Sequence, residues 1–294
     1  MAEAIVHVGL PKTGSTAIQM FLATNRRALK RRGIACAPPL IDRYSQLEYG
    51  LAACLRADRL VEDEMFRNQH ALTRPGDQAD LVSALPTGRP ECDREIISSE
   101  HIGIWLHTPE LRAALDELLS ERFAVFRYIM FVRPQAEFVL SSYSESVKRG
   151  SARSLQAFVE DYAELDIHQT ILDWRAQFGA RLRVAAMPGA GDSGPDLIDT
   201  FCAFAGIDPV GLQRPTPANE ALSRRAAGVL RRANDVIGKD TERNTAQRAV
   251  FALVRKMTLA ALSAGPRLHL SDAQRTIIAQ RYPHAIDPLL DPLP

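Results

Sequence analysis

The sequence predicts an α/β fold in which a parallel β-sheet is flanked by helices. Three observations lead there. Runs rich in β-branched and aromatic residues recur at 4–9, 95–99, 124–132 and 182–186. Each run precedes a segment whose apolar residues return at helical spacing. Repeated strand-then-helix order favours parallel pairing through crossover helices, which cover both faces of the sheet.

The first run, AIVHVG, stops at Gly9, and residues 15–32 then carry Ile18, Phe21, Leu22 and Leu29 at helical spacing. Gly33 falls where a helix-ending glycine belongs, with Arg26, Arg27, Lys30, Arg31 and Arg32 toward the negative end of the helix dipole. Residues 43–85 read as irregular helices joined by a loop around Arg74-Pro75-Gly76, a helical insert spanning about 43–90. The EIISS run at 95–99 leads into a helical segment through Leu111, Leu115, Leu118 and Leu119. The strongest strand, AVFRYIMFV, ends at Arg133-Pro134 and runs into a helix with Val139, Leu140, Tyr143 and Val147 on one face. Residues 154–179 read as helical, 182–186 as a weaker strand and 195–205 as a further helix. Pro209, Pro215 and Pro217 mark a linker, after which 219–264 is mostly helical and rich in Arg and Ala, and a last helix covers 271–281. The expected division is therefore a core over 1–210 and a helical C-terminal subregion over 211–294 packed on it.

Composition narrows the class. With 294 residues, 46% hydrophobic and 24% charged, the chain is long enough for a sizeable core, and its balance excludes a disordered or fibrous role. The 36 Lys and Arg nearly cancel the 35 Asp and Glu, so nothing draws the whole chain to nucleic acid or an anionic membrane, and any anion binding must be local. Cys36, Cys54, Cys92 and Cys202 form no CxxC pair, which argues for reduced structural thiols over a zinc cluster or disulfide scaffold. The N-terminal segment lacks the pattern of a secretory leader, and no stretch is apolar enough for a membrane span, so the expected compartment is the cytoplasm. No HxxxH or HExxH spacing accompanies any of the seven histidines. No metal site is expected, and His7 reads as a core histidine, as Trp105 and Trp174 read as core residues.

Chemistry concentrates in Gly9-Leu10-Pro11-Lys12-Thr13-Gly14-Ser15-Thr16, between a buried strand and a helix. Unpaired N–H groups at a helix start, two glycines, a lysine and hydroxyls are what a bound phosphate needs. The order departs from a Walker A loop, because Lys12 precedes the second glycine instead of following it.

This segment resembles the 5′-phosphosulfate loop of the sulfotransferases that use 3′-phosphoadenosine 5′-phosphosulfate (PAPS). That loop is a Pro-Lys turn followed by Ser or Thr, Gly and two further Ser or Thr residues, opening a helix, and Pro11 to Thr16 match it at every position. The family binds the donor's 3′-phosphate through an Arg closing a central strand and a Ser eight residues later. Arg133 and Ser141 have that spacing. The guanidinium offers a forked donor and the hydroxyl one short bond. Family members carry the base that takes the acceptor proton near the end of the strand equivalent to EIISS, and the resemblance puts Glu100 there, with His101 one residue on. Asn219 to Ser223 is similar to a short turn in bacterial sulfotransferase-like proteins, whereas the late Arg-Lys-Gly element of the animal cytosolic branch is absent.

The resemblance implies a P-loop-type fold and sulfuryl transfer from PAPS, as co-substrate, to a carbohydrate, lipid or small-molecule hydroxyl or to an amine, without a metal. Lys12 would serve the leaving phosphate and sulfuryl oxygens, Thr13 to Thr16 the 5′-phosphate, Arg133 and Ser141 the 3′-phosphate, and Glu100 the proton. Two other classes share the loop. A kinase of a small metabolite would use ATP, with magnesium held by a strand-end carboxylate, and a non-catalytic nucleotide-dependent module would dispense with the base.

Overall fold

The computed structural model describes residues 2–72, 74–88, 90–188, 194–215, 222–238, 244–262 and 265–294. In chain order, β1 (Glu3–Val8) leads into α1 (Ser15–Arg31), the short β2 (Ile34–Ala35), and the helices α2 (Glu48–Arg56), α3 (Glu64–Gln69) and α4 (Pro75–Val82). Then come β3 (Arg94–Ser99), α5 (Glu100–Trp105), α6 (Pro109–Ser120) and β4 (Val125–Val132). They are followed by α7 (Gln135–Lys148), α8 (Leu155–Asp161), α9 (Ile167–Phe178), β5 (Leu182–Ala186) and α10 (Leu197–Ala205). The later helices are α11 (Arg224–Ile237), α12 (Thr245–Leu262) and α13 (Asp272–Arg281).

The expected α/β architecture is present. Five strands form an all-parallel sheet in the order β2-β3-β1-β4-β5, consistent with a P-loop-type arrangement. β1 lies at its centre, with Val8 opposite Ser99 of β3 on one side and Met130 of β4 on the other. The chain leaves β1 toward β2 and leaves β4 toward β5, so the connections from these two adjacent strands diverge. Parallel α/β sheets open a ligand crevice outside the carboxyl ends of such strands, and the segment after β1 is the loop that starts at Gly9.

Burial explains the strands. Ala4, Ile5, Val6 and Val8 are fully buried, and Ile5, Ile18, Phe21, Leu22, Phe131 and Phe201 belong to one apolar cluster. Removing each such large side chain from water is worth roughly 1.5–3 kcal/mol, which fixes the face that α1 turns to the sheet. His7, Trp105 and Trp174 are core residues, as the sequence suggests.

The chain divides into two compact units. One contains 1–132, 169–218 and 287–294, the other 133–168 and 219–286. This differs from a linear boundary near residue 210, for a physical reason visible inside the second unit. Asn234 Nδ2 donates to the carbonyls of Val147 and Ser151 at 2.8 Å each, and Arg231 Nε donates to that of Ala152 at 3.2 Å. These bonds tie α11 to backbone some eighty residues earlier, a link that composition along the chain does not reveal.

Three local expectations need correction. The helical stretch expected over 154–179 is interrupted between α8 and α9, because Gln135 bonds the Leu165 carbonyl and the Ile167 N–H, while Arg281 donates to the carbonyls of Val159, Glu160 and Tyr162. Backbone groups satisfied from outside no longer need the helix. Arg74-Pro75-Gly76 opens α4 instead of forming a loop, with the Arg74 N–H donating to Asp77 Oδ2 at 2.7 Å. β2 adds a fifth strand that the sequence does not signal. The basic end of α1 is structural: Lys30 pairs with Glu91, Arg26 donates to the Cys36 carbonyl, and Arg32 donates to those of Asp208 and Val210.

Candidate functional site

The loop from Gly9 to Thr16 is shaped by two left-handed residues. Lys12 has φ +65° and Gly14 has φ +82°. Gly14 tolerates that conformation, whereas a residue with a Cβ pays about 1–2 kcal/mol for it, so Lys12 holds a strained position. Gly14 is also the residue at which α1 starts, with no side-chain cap and no acidic residue in the first turn. The Ala17 N–H bonds the Gly14 carbonyl at 2.9 Å, and N–H groups at the very start of a helix, those of Ser15 and Thr16 here, have no acceptor within it and suit an anion. Thr13 is buried and donates from Oγ1 to the Leu10 carbonyl at 2.7 Å, which locks the turn. Ser15 is 2% exposed, and its Oγ has no hydrogen-bond partner. A buried hydroxyl left unsatisfied costs about 1–3 kcal/mol, and a ligand oxygen would relieve it. Pro11 and Lys12 are half-buried and Thr16 is exposed.

Two glycines bring α5 against this loop. A Cβ at Gly9 would overlap Ser15 Oγ and come within 2.8 Å of the Glu100 Cα. A Cβ at Gly103 would overlap the Gly9 carbonyl oxygen. The backbone that carries Glu100 is therefore in contact with the loop that carries Lys12. Glu100 itself is the first residue of α5, directly after the strand residue Ser99, and is half-buried.

His101 sits in a small polar network at the same strand end. Its Nδ1 lies 3.4 Å from Ser45 Oγ, which is 3.3 Å from Ser99 Oγ, and its ring packs on Trp105 at 4.6 Å. Burial is the main influence on the imidazole and lowers its pKa, so it is held neutral at ordinary pH. The buried His7 pairs through Nδ1 with Ser98 Oγ at 2.8 Å, and burial pushes its pKa down to about 3.

The insert contributes residues that sequence reasoning missed. Gln46 joins the end of β3 through both backbone groups of Ser98: Gln46 Oε1 accepts from its N–H at 2.8 Å, and the Gln46 N–H donates to its carbonyl at 2.9 Å. That anchor sets Ser45 beside His101 and Ser99. Glu48, two residues on, is 1% exposed; one carboxylate oxygen accepts from the Leu40 N–H at 3.3 Å and the other has no partner. No local pattern marks Ser45 or Gln46, since their partners lie about fifty positions away.

Burial pushes the Glu48 carboxyl up to about 7 from an ordinary 4.5. An acid raised in the folded state stabilises the protein as long as it stays protonated. That stability is complete below about pH 4.5 and is lost as pH rises through about 7. Glu48→Gln, which keeps the shape and cannot ionise, is expected to gain thermal stability over the wild type between pH 5 and pH 8. An unchanged difference in unfolding temperature across that range contradicts this.

Arg133 and Ser141 belong to the second unit, Arg133 directly after the last residue of β4 and Ser141 on α7. Both are half-buried, and desolvation lowers the Arg133 pKa while the guanidinium stays charged. Asn219 and Glu220 lie outside the described residues, and Ser223 caps α11 through the Ala226 N–H. Among the described residues no group of three or more His, Cys, Asp or Glu is placed to hold a metal, and no helix is long and apolar enough to cross a membrane. Comparisons with protein-family models, curated proteins and solved structures return no match for this chain.

Proposed function

We propose that the protein is a sulfotransferase that moves the sulfuryl group of PAPS to an acceptor hydroxyl. The observation that carries this reading is the loop at Pro11 to Thr16, whose uncapped helix start and buried, unpartnered Ser15 hydroxyl suit an anion while its sequence matches the 5′-phosphosulfate pattern. The acceptor oxygen attacks sulfur and the bond from sulfur to the bridging phosphate oxygen breaks. Lys12 neutralises charge growing on that oxygen and on the sulfuryl oxygens, and Glu100 receives the acceptor proton. Thr13 to Thr16 take the 5′-phosphate. Arg133 and Ser141 take the 3′-phosphate, an assignment that rests on their spacing and on the position of Arg133 after β4. The reading includes a cytoplasmic setting and a carbohydrate, lipid or small-molecule acceptor.

Calorimetry with 3′,5′-adenosine bisphosphate, 5′-AMP and ATP tests it. Removing the 3′-phosphate is expected to weaken binding by ~1.5–3 kcal/mol, the worth of a charged hydrogen bond, and Arg133→Ala should erase the difference. Equal binding of magnesium-ATP and the bisphosphate would move the assignment to the second reading, a metabolite kinase, which the Glu100 carboxylate after β3 favours. Donor binding without turnover on any acceptor would leave a nucleotide-dependent module.

A further inference from the structure

The helices α11 and α12 carry a surface that sulfuryl transfer does not use. On α12, Val250, Leu253 and Met257 follow each other by three and four residues and so share one face. They are 53%, 59% and 63% exposed, while Phe251 and Thr258 occupy the buried face of the same helix. On α11, Arg225, Val229, Arg232 and Val236 share an outer face by the same spacing, and Val236 is 87% exposed. Isolated exposed apolar residues are ordinary, but three in one stripe on α12 and two more on the outer face of α11, the helix packed against it, call for an occupant.

Charge selects the occupant. The two helices hold seven Arg and Lys residues against one acidic residue, Asp235, and on α11 the exposed Arg225 and Arg232 share the outer face with Val229 and Val236. The chain as a whole has a net charge of only +1, so positive charge is concentrated here and the remainder is net acidic. A second copy joined face to face would bring two cationic surfaces together, which charge repulsion opposes. An anionic lipid surface matches both halves of the pattern, because the acyl boundary takes the valine, leucine and methionine side chains while the headgroups meet the arginines. We infer that α11 and α12 form a peripheral docking surface for an anionic membrane. The helices lie on the bilayer, and α12 has neither the apolarity nor the absence of charge that crossing requires.

Cosedimentation of the full chain with vesicles tests this directly, using phosphatidylcholine alone and phosphatidylcholine with about one-third phosphatidylglycerol. Binding to the anionic vesicles is expected to be about tenfold tighter or more than to the neutral ones, and to weaken as salt is raised. Leu253→Ser with Met257→Ser, and separately Arg225→Glu with Arg232→Glu, should each weaken it about tenfold. All four side chains are exposed, so far-UV circular dichroism and the unfolding temperature should stay at wild-type values. Equal binding to both vesicle types, or to neither, overturns the inference. So does a dimer in sedimentation velocity that the double serine variant dissolves without any vesicle binding, since the face would then belong to a second copy.

Discussion

Glu100→Gln is expected to leave donor affinity unchanged and to lower turnover about 10²–10⁴-fold, the usual contribution of a positioned general base. The amide is nearly isosteric with the carboxylate and cannot take the acceptor's proton. Because Glu100 opens α5 against Gly9, a change confined to its side-chain head should leave the loop in place. The wild-type rate should fall as pH drops and the carboxylate gains a proton. His101→Asn is the control. Burial holds the imidazole neutral at ordinary pH, so it too could accept a proton, but its limb would sit below the ordinary histidine value. Loss of turnover in the His101 variant alone moves the base one residue along. Wild-type turnover in both variants removes the base assignment and leaves the phosphate assignments standing.

Lys12→Ala should reduce transfer about tenfold at least, and by as much as 10²–10³-fold if the ammonium acts mainly on charge that develops in the transition state. Its backbone adds a second readout. Lys12 is held at φ +65°, a conformation that alanine strains as much as lysine does and glycine does not. Lys12→Gly should therefore lose transfer like Lys12→Ala while becoming more stable than it by about 1 kcal/mol. A wild-type rate in either variant removes Lys12 from the chemistry. Equal stability of the two would show that the strain is absent in solution.

What could be read from the sequence is what local chain chemistry encodes. The strand β1, the glycine after it and the helix α1 are contiguous, so β-branched residues, a turn and a 3.6-residue repeat suffice to place the loop between them. β2 has two residues and carries no periodicity; it exists because Ile34 and Ala35 meet Arg94 and Glu95 of β3. The break between α8 and α9 is made by Gln135 and Arg281, each far away in the chain. Ser45 and Gln46 escaped notice for the same reason. The partners of Ser45 and Gln46, namely Ser98, Ser99 and His101, follow more than fifty residues later, and Glu48 is set apart by its burial, which an isolated glutamate in an irregular segment does not announce.

The near-contact of Gly103 with the Gly9 carbonyl has an evolutionary side. Because bare backbone meets bare backbone there, the spacing between the turn after β1 and α5 is set first by main-chain atoms, which mutation cannot trim or enlarge by degrees. Drift at either glycine is an abrupt event, since the first carbon added already collides. The neighbouring insert is under no such restriction, for Ser45 and Gln46 meet the end of β3 and the start of α5 through side chains that can be exchanged one at a time. A lineage of such proteins would be expected to keep the geometry of this turn fixed while the insert diversifies, with the boundary between the two running along Gly9 and Gly103.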